Sequence, residues 1–192
     1  WTNSYDLRYG LDEDPTGSAP QFVDSTSNTN DATARAGMTA TDVVAGQVGD
    51  AINHDGNDGG TFQSSVSYTG AFTASMWWYS TGDGFAISQN TGATSKFGPW
   101  TGSGSTKFFM RVISSSDQTI NNPSDNAWHH VVLTRDASNK VDVYVDGGAP
   151  TRAFGDVAQS GTAIWENFGG QTSQGFVGDL DELRLSGVKR SD

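Results

Sequence analysis

A two-residue rhythm of apolar and polar side chains constrains this chain more than any other feature. Val141, Val143 and Val145 alternate with Asp142 and Tyr144. Successive side chains of an extended strand point to opposite faces, so the valines line one face and the other pair the reverse. In residues 71–79, Phe72, Ala74, Met76 and Trp78 share one parity, and Thr73, Ser75, Trp77 and Tyr79 share the other. The first set is the core candidate, because the second carries two hydroxyls. Residues 107–113 and 176–185 read as further strands, and the alternation Tyr5, Leu7, Tyr9 as a first one. Residues 50–54 form another, followed by the turn pairs Asp55-Gly56 and Asp58-Gly59. Residues 126–135 and 140–146 form a hairpin closed by Asp136-Ala-Ser-Asn139. Many short strands broken by glycine turns predict an all-β fold, a sandwich or a jelly roll.

Composition agrees and removes several function classes. The chain has 192 residues, enough for one domain with its own core, and 24 glycines. The formal charge is −11, with 22 acidic side chains against 11 basic ones, so nucleic acid is excluded as the expected partner. The absence of cysteine excludes disulfides, thiolate metal sites and a cysteine nucleophile. No apolar run is long enough to span a membrane, so membrane insertion is not expected. The chain opens with Trp1 rather than Met, which reads as one module, residues 1–192, excised from a larger exported protein and accompanied by other domains of that parent.

Two stretches carry no clear strand rhythm, residues 81–105 and 146–172. Trp100 and Trp165 lie in them among Gly, Ser, Thr and Asn. A large ring in such a segment is either tucked away or kept for a partner. Trp165 is followed by Glu166 and Asn167, a polar set suited to hydroxyl groups. Trp77 and Tyr79 fall on the parity expected to face outward. Trp100, Trp165, Asn167, Trp77 and Tyr79 are therefore the candidate ligand-binding residues, and Trp78 and Trp128 are assigned to the core. His129 and His130 are adjacent on a strand, point to opposite faces and cannot readily converge on one metal.

Residues 127–147, AWHHVVLTRDASNKVDVYVDG, resemble the hairpin of laminin-G-like, concanavalin A-like jelly rolls. The segments 177–185 (VGDLDELRL), 70–78 (GAFTASMWW) and 46–56 (GQVGDAINHDG) resemble that family's closing, central and early strands. Residues 11–31, with Leu-Asp-Glu and Asp-Ser-Thr-Ser-Asn, resemble the opening of its bacterial extracellular members. The resemblance implies a two-sheet antiparallel jelly-roll sandwich, and a secreted or cell-surface protein whose partner is a glycan or cell-surface ligand, as in adhesins and lectin-like modules. It also implies a structural calcium ion. The matching turn is 24–31, with oxygen-bearing side chains at short spacing, and the family topology would bring the closing strand to it. Asp24, Asn28, Asn30 and Asp181 are the metal candidates on that reading, against an Asx-rich loop that satisfies its own backbone. Glucanases that share the fold space their acids Glu-x-Asp-x-x-Glu along one strand. The nearest run here, Asp179, Asp181 and Glu182, lacks the last acid, so no catalytic residue is assigned. The expected function is a calcium-stabilised carbohydrate-binding or adhesion module that is not an enzyme. The alternative is a structural or protein-binding module without sugar affinity.

Overall fold

A computed structural model describes residues 4–89, 95–100, 107–112, 118–121, 126–171 and 174–190; Trp100, residues 107–109 and 118–121, and Gln171 are described by backbone alone. In chain order the first strands are β1 (Leu7–Tyr9), β2 (Ala32–Ala34), β3 (Val43–Ala45), β4 (Asp50–Asp55), β5 (Gly60–Tyr68) and β6 (Phe72–Ser80). Next come β7 (Ile87–Ser88), β8 (Lys96–Trp100), β9 (Lys107–Arg111), β10 (Gln118–Asn121), β11 (Trp128–Arg135) and β12 (Val141–Val145). The last are β13 (Thr151–Ala153), β14 (Ala163–Phe168), β15 (Gly170–Gln171), β16 (Gln174–Gly175) and β17 (Val177–Ser186). One 3₁₀ turn, Ala40–Asp42, is the only helical element among the described residues.

Fifteen of the seventeen described strands form two antiparallel sheets, as the family resemblance implies, and β15 and β16 pair only with each other. An eight-stranded sheet runs β13-β12-β11-β6-β17-β4-β3, with β1 also on β17. A seven-stranded sheet runs β10-β9-β8-β7-β14-β5-β2. The core lies between them. Phe72, Ala74, Met76 and Trp78 of β6 are buried beside Val131 and Leu133 of β11 and Val141 and Val143 of β12. From the other sheet, Phe97 packs 5.6 Å from Trp78, and Trp165 meets Phe72 edge-on at 5.9 Å.

Two irregularities interrupt the pairing of the strands. In β17 the register shifts between Asp181 and Arg184, and Glu182 there takes φ 52°. The extra residue swaps parity, so Leu180, Leu183 and Leu185 all point inward although their spacing is uneven. Four residues earlier, Gly178 has φ 136°, and a Cβ on it would lie 2.1 Å from the Tyr79 carbonyl oxygen, so only glycine fits that approach. The second irregularity is in the β14–β5 pairing: Trp165 and Asn167 are two residues apart while their partners Val66 and Thr61 are five apart, so the extra residues lie in β5.

Burial in β14 corrects two sequence expectations. Residues 146–172 are not irregular throughout, and Trp165 and Asn167 do not lie on a ligand-facing loop; both are fully buried in β14. Ala163, Trp165 and Phe168 all reach the core despite their two-then-three spacing. Asn167 spends its amide internally, accepting from the Thr61 hydroxyl and donating to the Ser88 carbonyl. Trp100 stands at the end of β8, opposite Lys107, and its side chain lies outside the described residues.

Candidate functional site

The outer face of the eight-stranded sheet gathers aromatic rings in neighbouring rows. Antiparallel register sets Trp77 opposite His130 and Tyr79 opposite Trp128. Side chains directly opposite on one face meet, and the ring centroids lie 5.2 Å and 6.0 Å apart respectively. All four side chains are half-buried, with part of each ring turned to solvent. The outward parity expected for Trp77 and Tyr79 is what the sheet displays. Trp128, expected in the core, is not there. It shares parity with His130 and Val132 and opposes Val131 and Leu133, whose burial fixes the inner face. That parity was available in the sequence and overrides the bias that places tryptophan inside. The two histidines diverge as adjacent strand residues must. His129 is buried opposite Trp78, with its Nδ1 2.7 Å from Asp146 Oδ2, while His130 lies against Trp77.

The closing strand completes one side of this face. Asp179 lies opposite Tyr79, and its Oδ1 accepts from Asn53 Nδ2 at 2.5 Å. Asp181 lies opposite Trp77 and is fully buried. Its Oδ2 accepts the N–H groups of Gln47 and Val48, both at 2.8 Å, while Oδ1 has no partner among the described residues. Burial pushes the Asp181 carboxyl above the ordinary range, with the nearby Glu182 charge acting the same way; the two backbone N–H groups oppose the shift. Glu182 itself is held by Arg8 and Arg184.

The turn 24–31 is built around Asp24, which is buried. Its Oδ1 accepts from Arg8 N and Thr26 N, and its Oδ2 from the Thr26 hydroxyl and Asn30 N, at 2.9–3.0 Å. A carboxylate has about four lone-pair positions, and these donors use them. Asn30 turns its side chain to β5, accepting from Ser64 N and donating to the Ser64 carbonyl, and Asn28 donates to the Asp6 carbonyl. Asp24, Asn28 and Asn30 thus share one loop, whereas the Asp181 carboxylate is engaged by Gln47 and Val48. Among the described residues no three His, Cys, Asp or Glu side chains are grouped to hold an ion. As arranged, these donors fit a loop that satisfies its own backbone and do not fit a calcium ion.

Comparison with known proteins places this architecture. A family model described as the concanavalin A-like lectin/glucanases superfamily matches residues 54–192. No curated protein matches the chain. Among solved structures, domain 4 of a GH43 extracellular arabinanase from Geobacillus stearothermophilus, in complex with arabinotriose, superposes with a TM-score of 0.68 at 18% identity, over 98% of this chain and 94% of that one. The binding domain of a paraclostridial mosquitocidal protein follows at a TM-score of 0.64 and 15% identity, over 99% of this chain and 50% of that one. The ligand-binding domain of botulinum neurotoxin serotype D, in complex with N-acetylneuraminic acid, gives 0.60 at 12% identity, over 99% and 49%. The chain spans about half the length of the two toxin domains. No helix among the described residues is long and apolar enough to cross a membrane.

Proposed function

Because the chain belongs to the concanavalin A-like lectin/glucanase superfamily, we propose that it is a non-catalytic carbohydrate-binding module whose ligand rests on the outer face of the eight-stranded sheet. The observation that carries the reading is the pair of aromatic rows, Trp77 with His130 and Tyr79 with Trp128, half-exposed on one face. Sugars offer apolar C–H faces to aromatic rings and hydroxyl edges to amides and carboxylates. Asp179 and Asn53 stand at the side of the rows to supply the second kind of contact. The similar domains that hold arabinotriose and N-acetylneuraminic acid support a sugar as the ligand class. The extracellular arabinanase supports a secreted or cell-surface setting.

A binding role fits the closing-strand acids better than hydrolysis does. A glycosidase needs a carboxyl pair facing the sugar from both sides of the scissile bond. Here Asp181 is buried beneath residues 47–48, and Glu182 is committed to two arginines.

The test is calorimetric titration of neutral oligosaccharides, selected on a glycan array, into the parent and the Trp77→Ala and Tyr79→Ala variants. Both substitutions are expected to lower affinity at least tenfold while the variants remain folded. Full retention of sugar affinity in both would remove the site from this face. Absence of any sugar affinity in the parent would favour the protein-binding alternative.

A further inference from the structure

A groove on the other sheet is built from different chemistry. It has a volume of about 420 Å³ and runs between the loop 28–30 and the second half of β5, with Asp6 at one end. Its walls are fixed. Asn30 is pinned to Ser64 by two bonds through its amide and to Asp24 through its own N–H. Asn28 donates to the Asp6 carbonyl, and the Tyr68 hydroxyl donates to Asp6 Oδ2. Such a site loses little freedom when something occupies it.

Groups without a protein partner remain on the residues that line the groove. Among the described residues, Asp6 Oδ1, Asn28 Oδ1 and the hydroxyls of Thr29, Ser65 and Ser67 have no protein partner. The backbone adds a donor and an acceptor. β2 pairs with β5 only from Gly60 to Phe62. Further along, Ile164 lies opposite Ser67, but its N–H goes to the Ser95 hydroxyl on the far side. The Ile164–Ser67 pair is therefore a non-hydrogen-bonded one, and the N–H and C=O of Ser67 point away from β14 into the groove.

We infer that this groove is a second binding site, one that grips the hydroxyl edge of a neutral sugar. Every free group is a hydroxyl, an amide or a carboxylate, so the groove offers matched acceptors and donors to a polyol. The only charged lining residue is Asp6, which repels phosphate, sulfate and uronate. Val66 and Tyr68 are the apolar lining residues, and Tyr68 is buried, so no ring face is presented for stacking. One outward N–H and C=O pair, at Ser67, is too short an edge for a peptide to add as a strand. The site differs in recognition mode from the aromatic face and lies on the opposite sheet, so the two stand or fall separately.

Amide chemical-shift mapping on the whole chain tests it. Neutral trisaccharides (arabinotriose, cellotriose, xylotriose and maltotriose) are titrated in turn, with N-acetylneuraminic acid and an extended serine tripeptide as counter-probes. At least one trisaccharide is expected to shift residues 28–30 and 65–67 saturably, and to do so equally in the Trp77→Ala variant. Ser67→Val, which fills the groove at an exposed position, should weaken those shifts at least tenfold and leave any shifts on β6 and β11 unchanged. Sugar-induced shifts confined to β6 and β11 would overturn the groove while sustaining the aromatic face. Groove shifts confined to the anionic sugar, or to the tripeptide, would overturn the ligand class. No groove shifts with any probe would overturn the site.

Discussion

Asp24 accepts three backbone N–H groups and one hydroxyl, so truncating it leaves buried donors without partners. Each such loss costs about 1–3 kcal/mol, and Asp24→Ala is expected to lower stability by roughly 2–5 kcal/mol in all. Because these partners are protein groups, a chelator should leave the melting temperature of the parent unchanged. A melt that drops on chelation, by an amount Asp24→Ala removes, would return calcium to this loop. Asp181 gives the opposite kind of expectation. Folding raises its pKa above the ordinary 3.8, so the folded state binds its proton more readily than the unfolded chain does. The ionised carboxylate therefore works against folding at neutral pH, and that penalty fades as pH falls through the raised pKa towards 3.8. Asp181→Asn can keep the two N–H bonds through its carbonyl oxygen. It should melt above the parent at pH 7, with the advantage shrinking towards pH 4 in a series of thermal scans. An advantage constant with pH would show that charge is not the cause.

Strands decide which tryptophans are structural. Trp165, buried in β14 against Phe72, should cost about 3–5 kcal/mol on truncation to Ala, as large core side chains do. Trp128, half-buried on the outer face, should cost about 1–2 kcal/mol, the share of its area already out of water. Denaturant melts of the two variants check the contrast, and equal losses would contradict it. The same pair shows what the sequence makes legible. In β6, β11 and β12 the period of two runs unbroken, and reading parity from Phe72 or Val141 gives the observed inner face. In β14 the spacing of the buried Ala163, Trp165 and Phe168 matches no simple period, so a core tryptophan reads as a loop residue. Trp128 differs for another reason: the burial typical of tryptophan yields to the outward parity it shares with His130. The groove draws on Asp6, Asn28, Asn30 and Ser67. Those positions meet only when β5 and the 24–31 loop are placed side by side, and no local pattern announces that.

At the scale of the molecule, charge and topology each have a consequence. A net charge of −11 on a 192-residue chain repels anionic ligands from every direction. Neutral glycans should therefore bind with little dependence on salt, while any acidic glycan should bind more tightly as ionic strength rises. Calorimetric titrations at low and physiological salt check this; an acidic glycan that weakens with salt would contradict it. Topology bears on how the molecule is made. β17 lies between β6 and β4 and also receives β1, so the middle of the larger sheet is supplied by the last strand of the chain. During synthesis β4 and β6 emerge first and wait with the edges they will give to β17 unpaired, the condition in which strands join to the wrong chain. Assembly is held back until residues 177–186 leave the ribosome. A nascent chain stalled short of that point would be a client for chaperones rather than a smaller working module.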